Sequence, residues 1–233
     1  MKILAFDTAT METSCAITED DKVLASSSVN STVSHSETLI GMIESMLKTL
    51  GISIRDIDMI GVGVGPGSFT GLRISVVLAK VLAKSLGIPV VGVSTLAALS
   101  RQVAEDGIVV PVLDARRHRV YTAFFEKTGD EIVREEKDDA VAVDELIERA
   151  PEGAVFIGDG LAAYGEELAA AGKDFTLYPA ALSKVGAAFI AKEARAVLAS
   201  EGASNPYALE PNYLRPSQAM REYRRKHEQS HDA

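Results

Sequence analysis

Gly65-Pro66-Gly67-Ser68-Phe69-Thr70-Gly71-Leu72-Arg73 concentrates more chemical potential than any other stretch of this chain. It follows the apolar run Met59-Ile60-Gly61-Val62-Gly63-Val64 and opens an apolar stretch from Leu72 to Leu86. A glycine-rich turn between a strand and a helix leaves backbone N–H groups bare at the positive helix end. That suits an anion or a close backbone approach. Gly65, Gly67 and Ser68 are therefore candidate phosphate contacts. Named phosphate loops do not match, because there is no Gly-Lys-Ser/Thr and the spacing is not Gly-x-Gly-x-x-Gly. Ser68 is not a nucleophile elbow either, since Gly-x-Ser-x-Gly is absent. On physical grounds alone, a tight turn that packs a helix on a sheet explains the glycines equally well.

Asp7 ends the first apolar run, ahead of Thr8 and Thr10, and carboxylate and hydroxyl oxygens there suit magnesium. A strand-end turn explains Asp7 as well. Asp114 has a similar setting and is followed by Ala115, Arg116, Arg117 and Arg119, whose guanidiniums could hold an anion. The alternative is a polar hairpin turn with solvated charges. Gly158-Asp159-Gly160 is a third, less specific glycine turn. No metal site is expected: His35 has Leu39 four residues on, and His118, His227 and His231 are scattered. No histidine or lysine lies near Ser68 or Thr70 in sequence to serve as a base. Cys15 reads as a small buried strand residue.

Alternation places strands at 2–8, 13–19 and 22–29. Ser34 and Glu37 form a capping box before a helix whose apolar residues run from Leu39 to Leu50. A strand at 59–64, the glycine turn, a helix to Leu86, a strand at 89–93 and a helix from Ser94 to about Ala104 follow. The pattern then restarts, with strands at 108–113, 119–126 and 130–136. After these come a helix near Asp144, a strand at 154–157, a helix after Gly160, and another from about 183 to 200. Two α/β halves thus divide within Ala104-Glu105-Asp106-Gly107.

The 233 residues are 47% hydrophobic and only 6% aromatic, so a packed aliphatic core is expected rather than disorder. Asp7 breaks the first apolar run too early for a secretory signal, and no run approaches the roughly 20 apolar residues of a membrane span. A soluble, cytoplasmic protein is expected. A net charge of −9 sets the body against phosphate backbones, except where Arg221, Arg224, Arg225 and Lys226 cluster near the end. The helix from Leu72 to Leu86 is apolar around most of its circumference, which implies deep burial or a shared surface.

The Gly65–Arg73 motif closely resembles the signature of the TsaB (YeaZ) family. Phe6-Asp7-Thr8-Ala9-Thr10, Ser34-His35-Ser36-Glu37, Leu113-Asp114-Ala115-Arg116-Arg117 and Pro211-Asn212-Tyr213-Leu214-Arg215 extend the resemblance over most of the chain. The resemblance implies an α/β protein of two related actin-like, sugar-kinase-like (ASKHA) lobes, each a mixed sheet flanked by helices. Residues 1–105 would form the first lobe, 106–215 the second, and 216–233 a basic tail or helix. It further implies a subunit that binds and activates TsaD, in an assembly with the ATPase TsaE, for threonylcarbamoyl transfer to adenosine beside the anticodon of tRNA. Self-association to a homodimer through much the same surface is also implied, with tRNA met mainly through the complex. The interface would carry Ser34, His35, Leu39, Met42, Ile43, Met46, Phe69, Arg73, Val77 and Val81.

No catalytic residue is implied, because the catalytic relative's pair of helical histidines four apart is reduced here to His35. Where nucleotide-binding relatives have glycine this chain has Thr8, so Asp7, Thr8, Gly65, Gly67, Ser68 and Asp114 read as a vestigial nucleotide or phosphate site. No cofactor is firmly implied beyond weak ATP, ADP or magnesium binding in the cleft between lobes or at the partner interface. The alternative functions are an ATP-dependent small-molecule kinase or a peptidase of the same fold, and a self-sufficient homodimeric module.

Overall fold

The computed structural model describes residues 1–30 and 35–215. Ser34, with its capping box, and the basic tail of 216–233 lie outside the described residues. β1 (Lys2–Asp7) is buried on both faces, so its sequence is a continuous apolar run rather than an alternation. It pairs antiparallel with β2 (Glu12–Glu19), which pairs antiparallel with β3 (Lys22–Asn30). α1 (His35–Leu50) ends at Gly51, whose φ of 66° only glycine adopts freely. β4 (Met59–Gly65) returns parallel to β1, α2 (Phe69–Leu86) follows, and β5 (Val90–Ser94) joins parallel to β4. The sheet order is β3-β2-β1-β4-β5.

The second half repeats that topology. β6 (Gly107–Asp114) pairs antiparallel with β7 (Arg119–Thr122), and β7 with β10 (Asp139–Ala142). β11 (Val155–Ile157) and β12 (Thr176–Leu177) add in parallel on the other side of β6. The order β10-β7-β6-β11-β12 matches the first sheet strand for strand, as the two-lobed actin-like arrangement requires. The strand expected at 119–126 breaks at Ala123-Phe124, because β8 (Phe125–Thr128) pairs with the start of β6 while β7 pairs with its end. The strand expected at 130–136 is β9 (Glu131–Arg134), which among the described residues pairs only with β8. The third strand of the repeated meander is therefore β10.

Helices fill three layers. α1 and α2 cover the outer face of the first sheet, around Phe6, Ile17, Leu39 and Val76. α4 (Val143–Arg149) and α5 (Leu161–Ala169) cover the outer face of the second, around Val112, Leu146 and Phe156. Between the sheets lie α3 (Thr95–Ser100) and α6 (Ala187–Glu201), which share a core with Ile3, Met59, Val109 and Ile157. α3 stops short of the expected Ala104. The Ser100 hydroxyl bonds back to the Ala97 carbonyl (2.8 Å), and the chain turns so that Val103 enters this core. α6 begins at 187 rather than near 183, where the Ser183 hydroxyl closes a turn on the Pro179 carbonyl (3.1 Å).

α6 packs on the first sheet although it belongs to the C-terminal half, approaching β4 where Gly61 has no side chain. Residues 202–215 then run back along the same half as a strap. Ser204 N–H donates to the Val90 carbonyl (2.9 Å) and Asn212 N–H to the Val64 carbonyl (2.7 Å). Leu209 fills the space above Gly92 and is 7% exposed within the outer core. Leu209→Ala is expected to cost about 2–4 kcal/mol, as buried leucine truncations do. Urea unfolding checks this, and a loss below about 0.5 kcal/mol would show that the strap adds little to the fold.

Candidate functional site

The glycine turn lies against the backbone that leaves β1. Ser68 N–H donates to the Ala9 carbonyl (2.6 Å), and the Thr8 hydroxyl donates to the Gly71 carbonyl (2.7 Å). A Cβ at Gly71 would collide with the Thr8 carbonyl oxygen, and one at Gly67 with Ala9. Ser68 caps α2 by accepting the Gly71 N–H (3.3 Å). Of the two readings open from sequence, close backbone packing is the one realised, and the N–H groups of Ser68 and Gly71 are already engaged.

Asp7 is equally committed. Its Oδ1 accepts the Ala9 N–H (2.6 Å), its Oδ2 accepts the Thr95 hydroxyl (2.8 Å), and it is 1% exposed. Burial raises its pKa to about 6, against the pull of those two hydrogen bonds. Thr8 is fully buried and its hydroxyl is a strut to α2. Asp7 is therefore not placed to hold magnesium, because both its carboxylate oxygens accept hydrogen bonds from protein, while Gly67, Ser68, Phe69 and Thr70 line the cleft between the halves. Cys15 is buried as expected, and burial pushes its thiol up.

Gly67 and Ser68 do meet Asp114, across a cleft of about 640 Å³ between the halves. Asp114 accepts Arg116 N–H (2.8 Å) and the Tyr164 hydroxyl (3.2 Å), while the Arg116 guanidinium lies 3.3 Å from its carboxylate. Asp159 Oδ1 accepts Asp114 N–H (3.1 Å), and burial raises the Asp159 pKa, with the Asp114 charge adding. The β6–β7 turn is left-handed at three consecutive residues, Arg116, Arg117 and His118 (φ 63°, 61° and 56°). Each costs about 1 kcal/mol or more for a side chain other than glycine. The Arg215 guanidinium donates to the carbonyls of Ala115 and Arg116.

His118 is not isolated, as its sequence position suggested. Its Nε2 lies 2.9 Å from the Glu167 carboxylate, and its Nδ1 4.0 Å from Asp144, in a cluster whose candidate ligand atoms fall within 4.8 Å. The hydrogen bond to Glu167 raises the His118 pKa. A carboxylate at each ring nitrogen balances an imidazolium without a cation. Spacing along the chain carried no signal for this cluster, whose members come from three elements.

The residues expected at an interface divide sharply. Leu39, Met42, Ile43 and Met46 are 0–8% exposed and form the core under α1, so they are not surface groups. The apolar stripe that sequence offered to a partner is the one that covers the first sheet. Val77 and Val81 are 57% and 55% exposed, and Ile40 on α1 is 47% exposed. Sequence reasoning did not single out Ile40. Phe69 stacks on Tyr213 (centroids 4.4 Å apart), with the Arg73 guanidinium 4.1 Å from the Phe69 centroid and its Nε donating to the Tyr213 hydroxyl (3.1 Å). His35 Nδ1 pairs with the Thr13 hydroxyl (2.7 Å).

Comparison with known proteins adds independent findings. A family model described as TsaD, tRNA N6-adenosine threonylcarbamoyltransferase, matches residues 23–223. The tRNA threonylcarbamoyladenosine biosynthesis protein TsaB of Bacillus subtilis is 39% identical over 127 residues, 54% of this chain and 56% of that one. TsaB of Escherichia coli is 35% identical over 150 residues, covering 63% and 64%. The matched region thus spans somewhat over half the length of these two relatives. TsaB of Buchnera aphidicola is 30% identical over 166 residues, covering 68% and 78%. Among solved structures, YeaZ from Pseudomonas aeruginosa superposes with a TM-score of 0.76 at 24% identity, covering 91% of this chain and 99% of that one.

Two outcomes test the geometry. Gly71→Ala drives a methyl into the Thr8 carbonyl and is expected to cost about 1–3 kcal/mol by overpacking, measured by urea unfolding. Asp7→Asn tests the buried carboxyl. The folded form holds the Asp7 proton more tightly than the unfolded chain, so wild-type stability falls as pH rises from about 4 to about 6. Asparagine keeps the Ala9 N–H bond through its Oδ1 and, once the Thr95 hydroxyl turns to accept, donates to it from Nδ2, without the charge. The variant should gain on wild type through that window and reach an advantage on the order of 3 kcal/mol at pH 7. A variant less stable than wild type at pH 7 would contradict this account.

Proposed function

The chain belongs to the TsaB (YeaZ) family, and from that membership we propose that it is a scaffold subunit in the synthesis of threonylcarbamoyladenosine on tRNA. In this reading it works in the cytoplasm, binds TsaD directly, and joins an assembly that includes TsaE. It supplies no reacting group to the transfer, and tRNA reaches it mainly through the complex, since its own net charge is −9.

The observation that carries the proposal is the pair Val77 and Val81, one helical turn apart on α2 and both more than half exposed. Ile40 on the neighbouring α1 is also exposed. Burying a valine or isoleucine side chain contributes about 1.5–3 kcal/mol, so a small ridge of this kind can anchor an interface. A second copy of the chain would compete for the same ridge, the surface through which self-association to a homodimer is expected. α1 also argues for a scaffold rather than a transferase. His35 is tied to Thr13, and the position one turn on is the core residue Leu39.

The runner-up, a kinase, needs Asp7 to face magnesium and phosphate, and both its oxygens are bonded within the protein. A serine peptidase built on Ser68 needs a general base at that hydroxyl, and the contact seen there is instead the Gly71 N–H that it accepts as a helix cap. Weak ATP or ADP binding, with or without magnesium, is expected in the cleft between the halves or at the partner interface.

A double variant, Val77→Glu with Val81→Glu, tests the scaffold. Both positions are exposed, so stability should stay within about 0.5 kcal/mol of wild type. The one-to-one complex with TsaD, followed by size-exclusion chromatography with light scattering, should be lost, and tRNA modification with it. Undiminished affinity of the folded variant for TsaD would rule out this face. A charge at Leu39 would instead unfold the chain and say nothing about the interface.

A further inference from the structure

Of the four non-glycine residues with positive φ among the described residues, three are consecutive at the tip of the β6–β7 turn. Glycine or asparagine sits most easily in that conformation, yet the residues are Arg116, Arg117 and His118. The tip is held from three sides. Asp114 accepts the Arg116 N–H, Glu167 takes the His118 ring, and Arg215 grips the carbonyls of Ala115 and Arg116. Backbone that is unfavourable and yet held this firmly marks side chains wanted for more than folding.

Those side chains are exposed guanidiniums at the mouth of the cleft. Arg116 lines it and its side chain is 78% exposed, and Arg117 is exposed beside it. Arg215 lines the same mouth from the strap, and Arg73 lies next to it over the Phe69–Tyr213 pair. The carboxylates of Asp114 and Asp159 line the cleft as well. Acid within and guanidinium at the rim repel a phosphate chain that enters but attract one that crosses the mouth. We propose that this arginine rim contacts the sugar–phosphate backbone of the RNA on which the complex acts, an inference that rests on the scaffold reading above. Guanidinium forks match phosphate oxygens in geometry as well as charge. The contact is local, on a chain whose net charge is otherwise repulsive.

The test uses the assembled complex with TsaD and an unmodified tRNA substrate, in filter binding across a salt series. Arg116→Asn with Arg117→Asn removes both charges and relieves the left-handed backbone, so folding and partner binding should be preserved. Affinity for tRNA should fall roughly tenfold at about 100 mM salt, and the plot of log affinity against log salt should flatten by about 1.5. Arg116→Lys with Arg117→Lys keeps the charges and should restore most of the slope. Unchanged affinity and slope in the asparagine variant would overturn the proposal. So would weakened ATP or ADP binding with tRNA binding intact, because the arginines would then serve the cleft. A wild-type complex that fails to form, or that retains no tRNA, would defeat the scaffold reading itself before any variant was made.

Discussion

Where α2 begins, its backbone touches the backbone that leaves β1, and the glycines at 67 and 71 allow that approach. Two hydrogen bonds close the contact, from Ser68 N–H to Ala9 and from the Thr8 hydroxyl to Gly71. The direction of α2 over the first sheet follows from this contact. With Leu72, Val76, Ala79 and Ala83 turned into the core, Val77 and Val81 are left facing outward. The same contact engages the N–H groups of Ser68 and Gly71 within the protein. Exposure of the valine ridge and closure of the first-half loop are therefore two results of one packing decision, and a side chain at 71 would disturb both.

The duplicated halves are tied together asymmetrically. α3 and α6 fill the layer between the sheets, but α6 and the strap after it return from the second half to the first. The strap buries Leu209 above Gly92, stacks Tyr213 on Phe69, and ends with Arg215 on the β6–β7 turn. The cleft is thus bridged at its mouth by the chain's own C-terminal segment. This bridge ties the β6–β7 tip, through Arg215, to the start of α2, through Tyr213.

Much of the first half was legible in the sequence, because each element has a local stop or start. Gly51 and Gly87 end helices with left-handed φ, and Ser68 and Ser94 cap α2 and α3. The second half was less legible, because β10 and β12 are four and two residues long and owe their pairing to the sheet rather than to their own pattern. Amphipathicity identified the apolar face of α1 but not what covers it. Leu39, Ile43 and Met46 proved to cover the first sheet, leaving Ile40 as the exposed member. Glycine spacing at 65–71 announced a close approach without naming the approaching group, and only the fold supplies Thr8 and Ala9. The meeting of His118 with Asp144 and Glu167 is a tertiary fact with no counterpart in spacing.

Asp7 is committed to internal contacts in the first-half loop. A carboxylate that serves a metal must offer it an oxygen. Here burial has driven the pKa to about 6, and Ala9 and Thr95 satisfy both oxygens. An ionised group held so deeply costs stability unless its hydrogen bonds do structural work. Those bonds fix the turn after β1 and tie it to the start of α3, so the residue that would hold a ligand instead joins the first sheet to the helical layer between the halves. The Thr8 hydroxyl makes the matching connection to α2. Two polar side chains in this loop thus serve as internal fasteners.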